Sequence, residues 1–413
     1  MLTLLIVQQL FTTVLRLTSQ ATTAEKSDRH NLPLGKIYAK LIITKIVLQN
    51  TCSLRKRCSN AQHPIGTSFL DAYKNSAEFT AMLQLYPILF QPNLHPTIWG
   101  GNRLKSLKGI AADDEPIGES WEVSAVPSSV SIIANGSFAG RSLSDVVNEY
   151  PQEILGEHVS KQYGNQFPLL VKFIDAEKDL SIQVHPDDAM AQREHGKTGK
   201  SEMWYIIAAK PGAYLYTGFK EEITPNEYKR RVEDGSIIDV LARHEVKAGD
   251  VFYLPAGRVH AICGGILLAE IQQSSDITYR IFDYNRCDTN GKPRELHTEL
   301  AAKALNFNVE QEYRTQYNAR KNEACQIANT PHFTVNMIEL DSPIHRNLQE
   351  LDSFIIYMCV KGGCNICVRK TGEKIQLSTG SACLVPAAIS DCDIAPNTSS
   401  ACCILETFIC KEM

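Results

Sequence analysis

From Met82 onward the chain runs as short apolar stretches broken by Gly, Pro, Asn and Asp, the rhythm of a β-rich protein. Strand-like runs fall at Ser129–Ile133, Leu169–Phe173, Leu180–Val184, Met203–Ile207, Val251–Leu254, Ile266–Gln272, Phe354–Val360 and Lys374–Leu377. Helical periodicity is confined to insertions at Leu143–Glu149, Pro225–Glu233 and His297–Ala304. Asp187 or Asp188 is placed to cap a short helix over Ala189–Glu194. The first 81 residues read differently. Met1–Leu10 is apolar but too short to span a bilayer, Arg16 soon interrupts it, and no basic residue precedes it as in a secretory signal. Leu48–His63 is polar and basic, with Arg55, Lys56 and Arg57, and shows no usable period. The expectation is an extension over 1–81, from a misassigned start codon, with the working protein opening at Met82; a targeting segment is the competing reading.

One pattern occurs twice. Gly249-Asp-Val-Phe-Tyr-Leu-Pro255-Ala-Gly257-Arg-Val-His260 is echoed by Gly380-Ser-Ala-Cys-Leu-Val-Pro386-Ala-Ala-Ile-Ser-Asp391. Each has Gly, five residues, then Pro, with a polar residue five positions after the Pro. A Gly-to-Pro strand entry is common by itself, Gly supplying positive φ and Pro ending the strand. Together the two copies point to tandem β-barrels, one with a ligand-grade His260 and one with Asp391 in its place.

The first copy belongs to a candidate metal constellation. Residues two apart on a strand share a face, so Gln183 and His185 aim at one point. Glu202 opens the next strand-like run, and His260 follows the Val251–Leu254 strand. Two imidazoles, a carboxylate and an amide oxygen suit Zn²⁺ and do not exclude Mn²⁺, Fe²⁺ or Co²⁺. Taken singly, a His in a strand is more often a core or surface residue, and His158, His195, His244, His297 and His345 are left to that reading.

Composition narrows the function classes. The 413 residues, 44% hydrophobic and 21% charged, are those of a globular protein large enough for two domains. A net charge of −4 and a pI near 6.3 give no general electrostatic case for nucleic acid or an anionic membrane. The 13 cysteines form no disulfide-like or zinc-ribbon framework, and Cys364-Asn-Ile-Cys367 lies inside a strand-like run, so a reducing cytoplasm is expected. Oligomeric state leaves no mark on the sequence.

Gly249–His260 matches the second cupin signature, Gly, five residues, Pro-x-Gly-x-x-His. Leu180-Ser-Ile-Gln-Val-His-Pro-Asp, Gly199-Lys-Ser-Glu-Met-Trp and Ser275-Asp-Ile-Thr-Tyr-Arg resemble the type I mannose-6-phosphate isomerase (phosphomannose isomerase) family of the cupin superfamily. Trp99-Gly-Gly, Glu119-Ser-Trp-Glu and Phe167-Pro-Leu-Leu-Val-Lys resemble it too, in the family's order, from about Tyr86 to at least Asn285. The resemblance implies a mainly β fold of tandem cupin (jelly-roll) barrels with a few inserted helices. The expected division is a catalytic metal-binding cupin over 82–320 and a degenerate cupin over 321–413. It implies interconversion of mannose 6-phosphate and fructose 6-phosphate through an enediol intermediate. One zinc per chain would be held by Gln183, His185, Glu202 and His260. Only 57 residues separate Glu202 from His260, as in the short bacterial form. The alternatives are another metal-dependent cupin enzyme, such as an oxygenase or a different sugar-phosphate isomerase, and a non-enzymatic sugar-binding cupin.

The resemblance also places Lys172, Lys200, Asp276 and Arg280 at the sugar-phosphate pocket, with Lys172, Lys200 and Arg280 as substrate-binding cations. Arg280 is a fixed bidentate donor and never a base at neutral pH. Asp276, four residues earlier, is expected on the same strand face, to orient Arg280 or accept protons. Lys200, two residues before Glu202, is a candidate proton carrier, its pKa lowered by a nearby metal. Trp121 and Trp204 read as wall or core aromatics. The residue that moves the C1–C2 proton is not chosen by the sequence.

Overall fold

The computed structural model describes residues 84–287, 291–397 and 401–411; the expected extension over 1–81 lies outside the described residues. The first run of strands is β1 (Ile88–Leu89), β2 (Leu94–Gly101), β3 (Ile117–Val123), β4 (Leu169–Ala176), β5 (Ile182–Val184), β6 (Glu202–Ala209), β7 (Tyr214–Phe219), β8 (Leu241–Glu245), β9 (Val251–Leu254), β10 (His260–Ile262), β11 (Ile266–Gln273) and β12 (Tyr279–Phe282). The second is β13 (Ala324–Asn329), β14 (Thr334–Leu340), β15 (Ile344–Asn347), β16 (Ile355–Lys361), β17 (Gly363–Val368), β18 (Lys374–Ser378), β19 (Ser381–Val385), β20 (Asp391–Pro396) and β21 (Cys402–Phe408).

The tandem expectation is met strand for strand. One barrel packs the sheet β2-β3-β4-β11-β6-β9 against β12-β5-β10-β7-β8; the other has β13-β14-β21-β16-β19-β1 and β15-β20-β17-β18. The order β3-β4-β11-β6-β9 of the first recurs as β13-β14-β21-β16-β19 in the second, and β5-β10-β7-β8 recurs as β15-β20-β17-β18. β1, although it begins the described chain, completes the second barrel, Ile88 pairing with Leu384. Contacts such as the Phe167–Phe354 ring pair, with centroids 4.7 Å apart, join the two barrels.

The five-stranded sheet of the first barrel is covered outside by helices at Asp188–His195, Pro225–Glu233 and Thr298–Ala304. Met190, Tyr228, Val232 and Ala301 pack there on Ile182, Val184, Ala261, Tyr279 and Ile281. Strand alternation then turns the intervening residues Gln183, His260 and Arg280 toward the barrel interior. Local chemistry explains the helices. Asp187 caps the first, accepting from the Met190 amide at 2.8 Å, and Thr224 caps the second, with Pro225 at its first position.

Some local readings change. Ser129–Ile133 is no strand: only Ile132 and Ile133 make isolated bridges, because the segment turns back at Pro127–Ser129. The run at Leu180 becomes a strand only at Ile182. Cys364 is fully buried and Cys367 half-exposed, as expected for residues three apart on a strand, which face opposite sides. In the second barrel the count from Pro386 reaches Asp391, but the fully buried position beside it on β20 is Cys392.

One row across each large sheet carries polar groups inward. In the first barrel it reads Trp121, Lys172, Glu270, Trp204, Phe252 across β3, β4, β11, β6 and β9. In the second the same row reads Gln326, Asn336, Glu406, Tyr357, Cys383. Each row buries a glutamate, and each glutamate accepts a 2.9 Å hydrogen bond from the aromatic residue beside it, Trp204 Nε1–H or Tyr357 O–H. The partners then diverge. Glu270 faces Lys172, whereas Glu406 is clamped by both ends of the Arg346 guanidinium at 2.9 and 2.7 Å and by Asn336 at 2.8 Å. At the Glu202 position, opposite the last residue of the strand before the Pro, the second barrel has Ile355.

Candidate active site

Gln183, in the middle of β5, pairs with His260 on one side and Arg280 on the other. His185 lies just beyond β5, and Glu202 opens β6 in the facing sheet. Gly257 ties the two histidine segments together. Its φ of 88° is a conformation that favours glycine, and its amide donates to the His185 carbonyl at 2.8 Å. Glu202 Oε2 is 3.4 Å from His185 Nε2, and Oε1 is 3.3 Å from His260 Nε2; all three residues are buried. The three ligand atoms lie within 4.8 Å of one another.

These residues fit a divalent cation. His185 Nδ1 donates to the Ile277 carbonyl at 2.8 Å and His260 Nδ1 to the Arg258 carbonyl at 2.9 Å. A carbonyl only accepts, so each ring turns an Nε2 lone pair toward the centre. Burial, and then Lys200, pushes the His185 pKa down to about 3; burial also lowers His260 against the pull of Glu202. Both rings are therefore neutral and ligand-ready. Burial alone would raise the Glu202 carboxyl, but Lys200, His185 and His260 outweigh it and hold the group well below its ordinary value. Neither Glu202 oxygen, though fully buried, accepts a well-aligned hydrogen bond among the described residues. An isolated buried carboxylate is costly unless a cation meets it. Lys200 Nζ is 3.1 Å from Glu202 Oε2 and 3.1 Å from His185 Nε2. Gln183 stands at the same centre, its Nε2 3.3 Å from His260 Nε2; a half-turn of the amide presents its oxygen instead.

The centre opens into a cleft of about 200 Å³, lined among others by Lys172, Lys200, Asp276 and Arg280, so the four expected pocket residues come together. Asp276 does not orient Arg280. The strand begins only at Tyr279, and Asp276 sits in the preceding loop, bound to Lys197 at 2.7 Å. Arg280 donates from Nη1 to the Glu295 carbonyl at 3.0 Å, and its buried Nε–H has no partner among the described residues. Burial, then Arg294, lowers its pKa without touching its charge at neutral pH. Arg294 and Arg286 both bind the single carboxylate of Asp283. The three guanidiniums around one carboxylate leave this end of the cleft positive.

Three cleft residues were not singled out by sequence reasoning: Glu119, Glu270 and Arg294. Lys172 Nζ lies between Glu119 Oε2 at 3.4 Å and Glu270 Oε1 at 3.2 Å. Burial would lower the Lys172 pKa, but Glu119 and Glu270 more than offset it, so Lys172 is a permanent cation. Burial raises Glu270, with Glu202 adding to the rise. For Glu270 a signal existed, a lone charge in the apolar run Ile266–Gln273; for Arg294, in an aperiodic loop, there was none.

A family model, Phosphomannose isomerase type I, catalytic domain, matches residues 88–223. The mannose-6-phosphate isomerase of Streptococcus mutans is 34% identical over 304 residues, covering 73% of this chain and 93% of that protein. ManA, a mannose-6-phosphate isomerase of Bacillus subtilis, is 40% identical over 220 residues, 53% of this chain and 68% of that protein. The crystal structure of the Bacillus subtilis mannose 6-phosphate isomerase superposes with a TM-score of 0.70 at 32% identity, covering 78% of this chain and 99% of that one. A relative matched over nearly its whole length, and a solved relative with the same barrels, leave one conclusion: the chain belongs to the type I phosphomannose isomerase family.

Proposed function

We propose that this chain is an aldose–ketose isomerase that interconverts mannose 6-phosphate and fructose 6-phosphate, with one Zn²⁺ held by Gln183, His185, Glu202 and His260. The observation that carries the reading is the buried carboxylate of Glu202 between two neutral imidazoles, with Gln183 and Lys200 joining this centre to a cleft that carries cations on its walls. When bound, the metal supplies Lewis-acid polarisation of a substrate oxygen. The chain's own residues do the rest. Arg280, with its free Nε–H, and Arg294 bind the phosphate at the positive end of the cleft. Lys172 and Lys200 donate to sugar oxygens, and the charge of Lys172 is fixed by its two glutamates. Glu270, which lines the cleft beside Lys172, carries the proton between C1 and C2 of the enediol; its raised pKa brings it toward working pH. Asp276, on the rim and paired with Lys197, shapes the entrance.

The intact ligand set of the first barrel speaks against a decayed sugar-binding cupin; the second barrel, with Ile355 where the first has Glu202, shows what decay looks like. No helix among the described residues is long and apolar enough to cross a membrane. Eleven described cysteines are free thiols, which supports a cytoplasmic location. The test is a coupled isomerase assay with mannose 6-phosphate, before and after chelation and after zinc is restored. Activity should vanish with the metal and return with it, and His260→Ala should lose both metal and turnover. An enzyme inert toward mannose 6-phosphate with zinc bound would overturn the reading.

A further inference from the structure

Trp121 lines the cleft, and an indole there is the usual candidate for stacking on a sugar. Its surroundings say otherwise. One face of the ring is stacked by His95, with centroids 4.4 Å apart and planes 28° from parallel. Lys172 Nζ sits 5.0 Å from the ring centroid. With one face covered by His95 and Lys172 close over the ring, the indole makes its hydrogen bond at the edge: Nε1–H donates to Glu119 Oε2 at 2.6 Å. That oxygen is the one 3.4 Å from Lys172 Nζ. Behind the ring, His95 is fixed in turn. Its Nε2 meets Ser129 Oγ at 3.2 Å, and Ser129 and Asn93 exchange hydrogen bonds of 2.9 and 3.0 Å. The Asn93 carbonyl accepts the Trp121 backbone amide at 2.9 Å.

We propose that Trp121 and His95 are positioning residues of the isomerase site: the indole N–H locks Glu119 against Lys172, and His95 holds the indole at the angle that makes this bond. The inference rests on the reading of Lys172 as a substrate-binding cation. Lys172 has two carboxylates to choose between, and each is held by an indole: Glu119 by Trp121, two residues along the same strand, and Glu270 by Trp204 from the neighbouring strand. If Glu119 swings away, the ammonium keeps Glu270 alone and shifts from its place between the two carboxylates. The charged groups that face Glu119 are Lys172, Lys200 and His95, and those that face Lys172 are Glu119, Glu270 and Glu202.

The test is a double-mutant cycle on the zinc-loaded enzyme. Trp121→Phe keeps the stacked ring and removes only the donor; kcat/KM should fall about tenfold, the loss of one hydrogen bond to a charged acceptor. In a Glu119→Ala background the same substitution should cost less than about twofold, because its acceptor is already gone. Equal losses in both backgrounds, or no loss in either, would overturn the proposal. His95→Ala should lower kcat/KM about as much as Trp121→Phe does, and His95→Phe, which keeps the stacking but loses the Ser129 contact, should lose less; equal losses in the two variants would count against the buttress. A measurement free of turnover separates this from the functional reading. The indole N–H proton resonance of Trp121 should move in Glu119→Gln and in His95→Ala. An unmoved resonance sinks the positioning device, whereas a wild-type protein inert toward mannose 6-phosphate sinks only the proposed substrate.

Discussion

Arg346→Met tests what holds the second barrel together. Glu406 is fully buried and the Arg346 side chain is 25% exposed, so the substitution strips a buried carboxylate of its only cation among the described residues. Breaking a buried pair from one side costs about 3–5 kcal/mol. Here Tyr357 and Asn336 still donate to Glu406, and Arg346 is partly solvated, so the low end applies, about 3 kcal/mol. Adding Glu406→Gln removes the stranded charge and should recover most of the loss, leaving about 1 kcal/mol. Urea unfolding followed by circular dichroism reads all three proteins, and the isomerase activity of the folded fraction should not change. A single variant within about 0.5 kcal/mol of wild type, the range of ordinary surface substitutions, or a double variant no more stable than the single, would refute the reasoning.

Two further outcomes are expected. Arg280→Ala should cut kcat/KM by about 10–100-fold, chiefly through KM for the sugar phosphate, with metal content by elemental analysis intact; loss of the metal would mean that Arg280 holds the centre, not the substrate. The pH dependence of stability should report Asp283. Burial opposes its ionisation, but Arg294 and Arg286 hold its carboxyl below the unfolded value of 3.8. Its stabilising contribution is therefore present above pH 3.8 and disappears as pH falls through the depressed folded value. Urea midpoints of wild type and Asp283→Asn should differ at neutral pH and converge in acid; curves that stay parallel down to acid would show that the pair contributes nothing.

Much of the fold was legible because the local signals agree with the tertiary ones. Val251–Leu254, Leu143–Glu149 and Pro225–Glu233 form as their apolar spacing and caps require. The helices Arg103–Leu107, Pro151–Leu155 and Glu157–Tyr163 were not read, since one or two turns give no periodic signal. The residues of the candidate centre were legible for a geometric reason: alternation on β5 sends Ile182 and Val184 to the helices and Gln183 inward. Glu270 and Arg294 became visible only in three dimensions. Glu270 owes its environment to Lys172 across β4, and Arg294 reaches the cleft through Asp283, from a loop without pattern. Asp276 failed as an Arg280 partner because strand pairing starts three residues later than its apolar spacing indicated.

The pairing of Ile88 with Leu384 has a consequence for biosynthesis. Almost 300 residues separate the partners, so at a ribosomal rate of about 5–20 residues per second the first strand waits roughly 15–60 s for its neighbour to be made. The metal-binding barrel is complete well before then. A nascent chain can thus own a finished catalytic half while Ile88, wholly buried in the mature protein, still lies on an open edge. Synthesis of its partner strand, rather than capture of metal, is what closes that edge.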